Sequence, residues 1–151
     1  PEVRGVVSYS DPVPRRTLDG GLVLPGHVGT IYQGFNGAYL GRGSRRTLLL
    51  DRFGRTVNGR MLSKIRLGEQ GIDYACRQLA QATGLERRRG EGGDAYVARV
   101  LASGRLRRVR HPGNHVYAWG LDRRVARSLR AATDPEAHPY PKTPDLDRAH
   151  T

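Results

Sequence analysis

Two stretches decide how this chain folds: GVVSYSDP at Gly5–Pro12 and GHVGTIYQGFNGAYLG at Gly26–Gly41. In the first, Val3, Val6 and Val7 make a short apolar strand that runs out to Ser8, Tyr9, Ser10 and Asp11. Pro12 has no N–H to continue a ladder and stops it. In the second, Gly26-His27-Val28-Gly29 is a loop with little side-chain bulk. Thr30 is expected to cap a short helix that opens with Ile31 and Tyr32. Strand end, glycine loop and helix start bring a carboxylate, a phenol and exposed backbone amides together. In open α/β sheets, sites form at that edge.

Composition sets the class of partner. The chain has 151 residues and a hydrophobic fraction of 37%, enough for one domain with a modest core. No apolar run approaches the ~20 residues of a membrane span, and no signal peptide is visible. A lone cysteine, Cys76, excludes an intramolecular disulfide and suits a reducing cytoplasm. Residues 131–151 carry four acids and two bases, so the net charge of +12 becomes +14 over the first 130 residues. Only Lys64 and Lys142 of the 26 basic residues are lysine. Arginine's planar fork suits phosphates and guanine edges, although a GC-rich genome produces the same bias. The charge points to a nucleic acid, set against a merely soluble basic surface.

Outward from the opening stretches, Pro12 to Pro25 reads as a basic loop. Thr47 to Phe53 reads as a strand around Leu48, Leu49 and Leu50, turning at Phe53-Gly54-Arg55 into a return strand at Thr56-Val57. Around this hairpin lie Arg42, Arg45, Arg46, Arg52, Arg55, Arg60, Lys64 and Arg66, with Asp51 the only acid. Eight bases against one acid repel one another unless a polyanion is present, which favours a phosphate-tracking patch over a solvated face. Glu69 to Thr83 fits an amphipathic helix with Ile72, Ala75, Cys76 and Leu79 on one face and Gly84 as its left-handed stop. Asp94 is expected to cap a second helix that Gly104 closes. Arg105–Arg110 and His115–Leu121 are expected to pair as a hairpin across His111-Pro112-Gly113-Asn114, a type II turn. Its very basic edge would carry Arg107, Arg108 and Arg110. Asp122 caps a last helix to about Ala132. The Pro-rich polar segment 133–151 is expected to be disordered.

SYSDP followed by GHVGTIYQ, an aromatic-rich helix and Gly41 resembles the phage Mom DNA-modification proteins. These are relatives of the GNAT acyltransferases that attach a carbamoylmethyl group to the exocyclic amine of adenine in phage DNA. The resemblance implies an α/β (α+β), GNAT-like domain over residues 1–132, corresponding to the C-terminal portion of that fold. It implies action on double-stranded DNA in the cytoplasm of a bacterial host, with acyl-CoA (acetyl-CoA) as donor. His115 and Tyr117 match the family's basic-aromatic return strand, while Asn114 stands where a basic residue is usual. Mom-like proteins have a shorter link between the DP and GH elements. They also have a preceding half that holds the donor's pyrophosphate. The expectation is therefore that an N-terminal segment or a second copy covers the Val3–Tyr9 strand and supplies most of that site.

Each candidate residue has a plain alternative. Asp11 is either a turn aspartate bonding local amides or a carboxylate that takes the amine's proton. Tyr32 is either core or, by resemblance, the phenol that protonates the departing thiolate. His27 either polarises the substrate or bonds its loop. Gly29 and Thr30 are the candidate donor-binding amides. One or two of Tyr9, Phe35, Tyr39, Tyr117 and Trp119 would stack on a base taken out of the duplex. His111 and His115 flank Pro112-Gly113, so they share no helical metal-binding face, and a metal is not expected. The competing reading is a non-catalytic basic module that binds DNA or RNA. A further alternative is a GNAT-type enzyme acting on another amine, such as a hypermodified base.

Overall fold

The computed structural model describes residues 2–133, 136 and 138–145. In chain order its elements are β1 (Gly5–Ser10), β2 (Arg15–Arg16), β3 (Leu22–Leu24), α1 (Thr30–Gly34), β4 (Ala38–Arg42), β5 (Arg46–Leu50), β6 (Thr56–Val57), α2 (Gly59–Leu67), α3 (Ile72–Thr83), α4 (Gly93–Ala102), β7 (Arg107–His111), β8 (His115–Gly120) and α5 (Arg123–Ala132). The architecture is mixed α+β with small sheets. The chain divides into two compact units. Unit 1 comprises Pro1–Pro14, Leu24–Arg46 and Arg110–Thr151; unit 2 comprises Arg15–Val23 and Thr47–Val109.

Unit 1 is built on the sheet β1-β8-β4. β1 and β8 run antiparallel with Ser10 opposite His115, Ser8 opposite Tyr117 and Val6 opposite Trp119. Directly opposed residues share a face, so His115, Tyr117 and Trp119 stand on one side of β8 beside the polar end of β1. On the other flank of β8, Tyr39 pairs with Tyr117, and a bulge precedes the pairing of Arg42 with His115. α5 packs along β8, its start fixed as expected by the Asp122 carboxylate, which accepts from the Val125 N–H at 2.8 Å. β1 is an edge strand: among the described residues it has β8 on one side and no strand on the other. Val6, Val7 and Tyr9 are exposed there.

Unit 2 holds the larger apolar cluster. Val57, Leu62, Ile65, Ala75, Leu79, Tyr96, Val97, Val100 and Leu106 are buried together from α2, α3, α4 and their flanks. Asn58 caps α2 through its side chain, accepting from the Arg60 N–H at 2.8 Å. α3 begins at Ile72 rather than Glu69 because Gly71 sits left-handed at φ 82° and breaks the helical run. It stops, as expected, on Gly84 at φ 72°. α4 starts after Gly92, so Asp94 lies in the first turn instead of capping it. There it still meets the positive end of the helix dipole. Glu91, just before α4, takes Arg99 on both oxygens at 2.7 and 2.8 Å. That hydrogen bonding holds its carboxyl down from 4.5 to about 2.

The second sheet, β6-β5-β7, overturns one expectation. β7 pairs with β5 while β8 lies between β1 and β4, so the two do not form a hairpin. The cause is where their apolar residues go. Val109 is buried with Leu48 and Leu50 of β5, whereas Tyr117 and Ala118 are buried in unit 1. Pro112-Gly113 therefore carries the chain from one sheet to the other. The β5–β6 turn is fixed by buried Asp51, whose carboxylate accepts from the Phe53 and Arg55 N–H groups at 2.8 and 2.9 Å. The basic insert docks on that same turn, with the Leu18 N–H donating to the Arg52 carbonyl at 2.9 Å. Among the described residues no helix is long and apolar enough to cross a membrane.

Leu79 is fully buried at the centre of the unit 2 cluster. Leu79→Ala is expected to cost about 2–5 kcal/mol in urea unfolding, a transfer loss plus a cavity. A loss below about 1 kcal/mol would show that this cluster is not the core of the unit.

Candidate functional site

The insert leaves unit 1 at Pro14 and the chain returns at Leu24, so the two opening stretches meet. The His27 N–H donates to the Asp11 carbonyl at 2.7 Å. Gly29 sits at φ 77°, and a Cβ there would lie 2.7 Å from Tyr117 Cε2 and 2.8 Å from Tyr32 Cδ2. Only glycine allows both the left-handed backbone and that approach. Gly29 thus occupies the capping position of α1, and Thr30 is the first helical residue rather than its cap. A helix of five residues does not hold itself. Gln33 anchors it: its side-chain amide donates to the Val28 carbonyl (3.2 Å), the Tyr117 hydroxyl (3.1 Å) and the Pro141 carbonyl (3.0 Å). The Tyr117 hydroxyl in turn donates to the Val28 carbonyl.

This turn lies over an aromatic face. The Tyr32 ring packs on Tyr117 at 5.4 Å and edge-on to Trp119 at 5.8 Å, with His27 at 6.5 Å. Tyr39 packs on the other side of Tyr117 at 5.3 Å. Such offset and edge contacts between rings are attractive beyond the area they bury. Tyr117 is fully buried, and burial pushes its phenol up. The Tyr32 ring is half-buried, and its hydroxyl makes no hydrogen bond among the described residues. The segment expected to be disordered joins this face where it is described. Tyr140 packs on Tyr117 at 6.3 Å and donates to the Gly37 carbonyl at 2.8 Å, and the Asp145 carboxylate takes both arms of Arg42 at 2.7 Å. Residues 134, 135, 137 and 146–151 of that segment lie outside the described residues.

At the polar end of β1, Ser10 and His115 are buried cross-strand partners. The Tyr39 hydroxyl meets His115 Nδ1 at 2.7 Å. Burial, and after it the Arg42 charge, lowers the His115 pKa, so the ring is neutral at pH 7. Burial raises that of Tyr39, which keeps its proton. That proton needs an acceptor, and Nδ1 is the one at hand; the network therefore assigns the imidazole proton to Nε2. Nε2 and the Ser10 hydroxyl have no partner among the described residues.

Asp11 has two settings at once. Its Oδ1 accepts from the Val13 N–H at 3.1 Å, which is the local turn bond, and meets His111 Nε2 at 2.8 Å. His111 Nδ1 accepts from the Gly113 N–H at 3.0 Å, so Nε2 carries the ring's proton towards the carboxylate. Asp11 therefore ties the end of β1 to His111, the last residue of β7.

The structure gathers Asp11, His27, Gly29, Thr30, Tyr32, His115 and Tyr117 in unit 1. It does not gather the basic residues on one unit. Arg42, Arg45, Arg46 and Arg110 belong to unit 1; Arg52, Arg55, Arg60, Lys64, Arg66, Arg107 and Arg108 belong to unit 2. Several are already engaged: Arg42 by Asp145, Arg55 by Asp51, and Arg60 by Glu69 at 2.6 Å. Arg46 donates to the Asn114 side chain at 2.8 Å, and Arg107 donates to the Arg16 carbonyl, also at 2.8 Å. His115 and Tyr117, buried on β8, are not placed to meet a DNA backbone directly. Gly29 is buried, with Tyr117, Tyr32 and Ser10 filling the space where its Cβ would lie, whereas Thr30 is exposed. Among the described residues no group of three or more His, Cys, Asp or Glu is placed to hold a metal ion. Sequence reasoning missed Ser10, Gln33, His111 and Tyr140, whose positions depend on pairings distant in the chain. The chain matches no family model, no curated protein and no solved structure.

His115 gives the site a measurable pH signature. Its folded pKa lies below the ordinary 6.5, so the folded state binds fewer protons than the unfolded one. The stability it contributes is complete above that value and falls as pH drops through it towards the folded pKa. Urea unfolding at about pH 7.5 and about pH 5.5 should show wild type losing more stability on acidification than His115→Asn. Equal losses would mean that the ring is not buried neutral.

Proposed function

We propose that this chain engages and modifies a base of double-stranded DNA, in the manner its resemblance to Mom-like proteins implies. The reaction on that reading is transfer of a small acyl or carbamoylmethyl group to the exocyclic amine of adenine. One observation carries it: a phenol, Tyr32, packed against Tyr117 and Trp119 at 5.4 and 5.8 Å, with a hydroxyl that makes no hydrogen bond among the described residues. The fully buried Tyr117 and Tyr96 satisfy their hydroxyls within the protein, whereas half-exposed Tyr32 leaves its hydroxyl open to solvent or to a ligand. A hydroxyl left without a partner on a packed ring is suited to meet an incoming group.

Modifying an amine requires a group that takes its proton and one that returns a proton to what departs. Asp11 and Tyr32 are the candidates, with His27 adjoining both through its backbone bond to Asp11 and its ring beside Tyr32. His111 and Val13 orient the Asp11 carboxylate. The aromatic rings of this face offer a surface on which an unstacked base can lie. Acyl-CoA is the donor implied by resemblance, with Gly29 and Thr30 as the candidate donor-binding residues. The same engagement of Asp11 favours a second reading, a non-catalytic DNA- or RNA-binding module in which Asp11 is purely structural.

Mass spectrometry of nucleosides from DNA of cells expressing the full gene separates the two. The enzyme reading expects a heavier adenine nucleoside, reduced about 100-fold or more by Tyr32→Phe and by Asp11→Asn while DNA affinity is kept. Asp11→Asn retains an oxygen for Val13 and His111, so folding should survive it. Unmodified DNA from cells whose protein still binds DNA would contradict the enzyme reading and leave the binding module.

A further inference from the structure

α5 reads RRVARSLRAA, and its two sides differ completely. At 3.6 residues per turn, Arg123, Arg124, Arg127 and Arg130 fall within about 120° of the helix circumference. Val125, Ala126 and Leu129 fall opposite. That apolar side is seated in unit 1: a Cβ on Gly5 would come within 3.8 Å of Val125, and one on Gly120 would overlap the Ala126 backbone. Arg123, Arg124, Arg127 and Arg130 are all exposed.

None of the four makes an ion pair among the described residues. Asp122, the acid next to them, is engaged twice, capping the Val125 N–H at 2.8 Å and meeting Arg4 Nε at 3.2 Å. Helix stability alone places these charges badly. Arg123 and Arg124 stand at the positive end of the dipole, and no acid occupies the first turn. Arg123 and Arg127 are four apart, and Arg127 and Arg130 three apart, so each pair repels. A polyanion laid along the helix adds an attraction to each arginine that offsets these repulsions.

We propose that the arginine face of α5 docks the sugar–phosphate backbone of duplex DNA. This surface is separate from the basic stretches read from the sequence, and it belongs to the same unit as the aromatic face. From Arg123 to Arg130 the helix rises roughly 10 Å, comparable with the axial rise of about three phosphates of one strand at ~3.4 Å of duplex axis each. Arginine rather than lysine at all four positions allows paired contacts to phosphate oxygens. An anionic membrane is the weaker partner, because a surface helix must turn its apolar side into the lipid, and here that side faces β8. The inference rests on the functional reading only for the class of partner.

The test is the salt dependence of duplex binding by the full chain, measured by fluorescence anisotropy without any modification reaction. Replacing the four arginines with alanine keeps a strong helix former at each position. It should reduce the slope of log affinity against log salt by about three, at ~0.9 per phosphate. The four-lysine variant should keep the wild-type slope to within about one unit. If the alanine variant does not fold by circular dichroism, Arg127→Gln alone should lower the slope by about one. Wild-type binding with an unchanged slope in these variants overturns this inference alone. A wild type that shows no salt-dependent duplex binding overturns it together with the functional reading. Preference for phosphatidylglycerol vesicles over duplex, lost in the alanine variant, would assign the face to a membrane and also overturn it.

Discussion

The close approach of the Val28-Gly29 backbone to the Tyr117 ring is the constraint on which unit 1 depends. Gly29 leaves its Cβ space to Tyr117, Tyr32 and Ser10 together. Because the backbone comes that near, the Tyr117 hydroxyl reaches the Val28 carbonyl and Gln33 reaches both. A buried phenol, a buried carbonyl and a side-chain amide thereby satisfy one another, which a low-dielectric interior demands. The short helix α1 and the orientation of Tyr32 follow from this network. Neither would persist from helix propensity over so few residues.

Charge is arranged by a complementary rule. The acids are few, and several are placed where they fix backbone or a single base. Asp51 closes a turn, Glu91 clamps Arg99, Asp145 takes Arg42, and Asp122 caps α5. What remains outward is arginine with little to neutralise it, on both units. Exposed pairs contribute little to stability, so the excess is better understood through long-range attraction to an anion than through folding. The aromatic face and the α5 arginines share unit 1, so the proposed base-engaging groups and a backbone-docking surface belong to one body.

Local signals were legible in the sequence. Gly84 after α3 and Asp122 before α5 each act through groups within four residues, and each is found in its expected role. The Thr56-Val57 return strand is also where it was expected. What escaped were decisions made by distant partners. Pro112-Gly113 has the chemistry of a hairpin turn, yet burial of Val109 with Leu48 and Leu50 draws β7 into another sheet. Thr30 has the chemistry of a cap, yet the ring of Tyr117 demands Gly29 in that position. Tyr140 and Asp145 lie in a polar, Pro-rich segment that reads as disordered, and their order comes from Gly37, Tyr117 and Arg42, all distant in sequence. Within the site, Asp11 and Tyr32 were legible as residue types in order. The bond from His111 to Asp11 was not, because it spans 100 residues.

The aromatic face of unit 1 is proposed to receive a base. Ultraviolet crosslinking of the full chain to duplex DNA, with the adducts mapped by peptide mass spectrometry, tests it most directly. Adducts are expected on the peptides carrying Tyr32 and Trp119, lost when excess unlabelled duplex competes. Adducts confined to arginine-bearing surface peptides, with Tyr32 and Trp119 unlabelled, would contradict it.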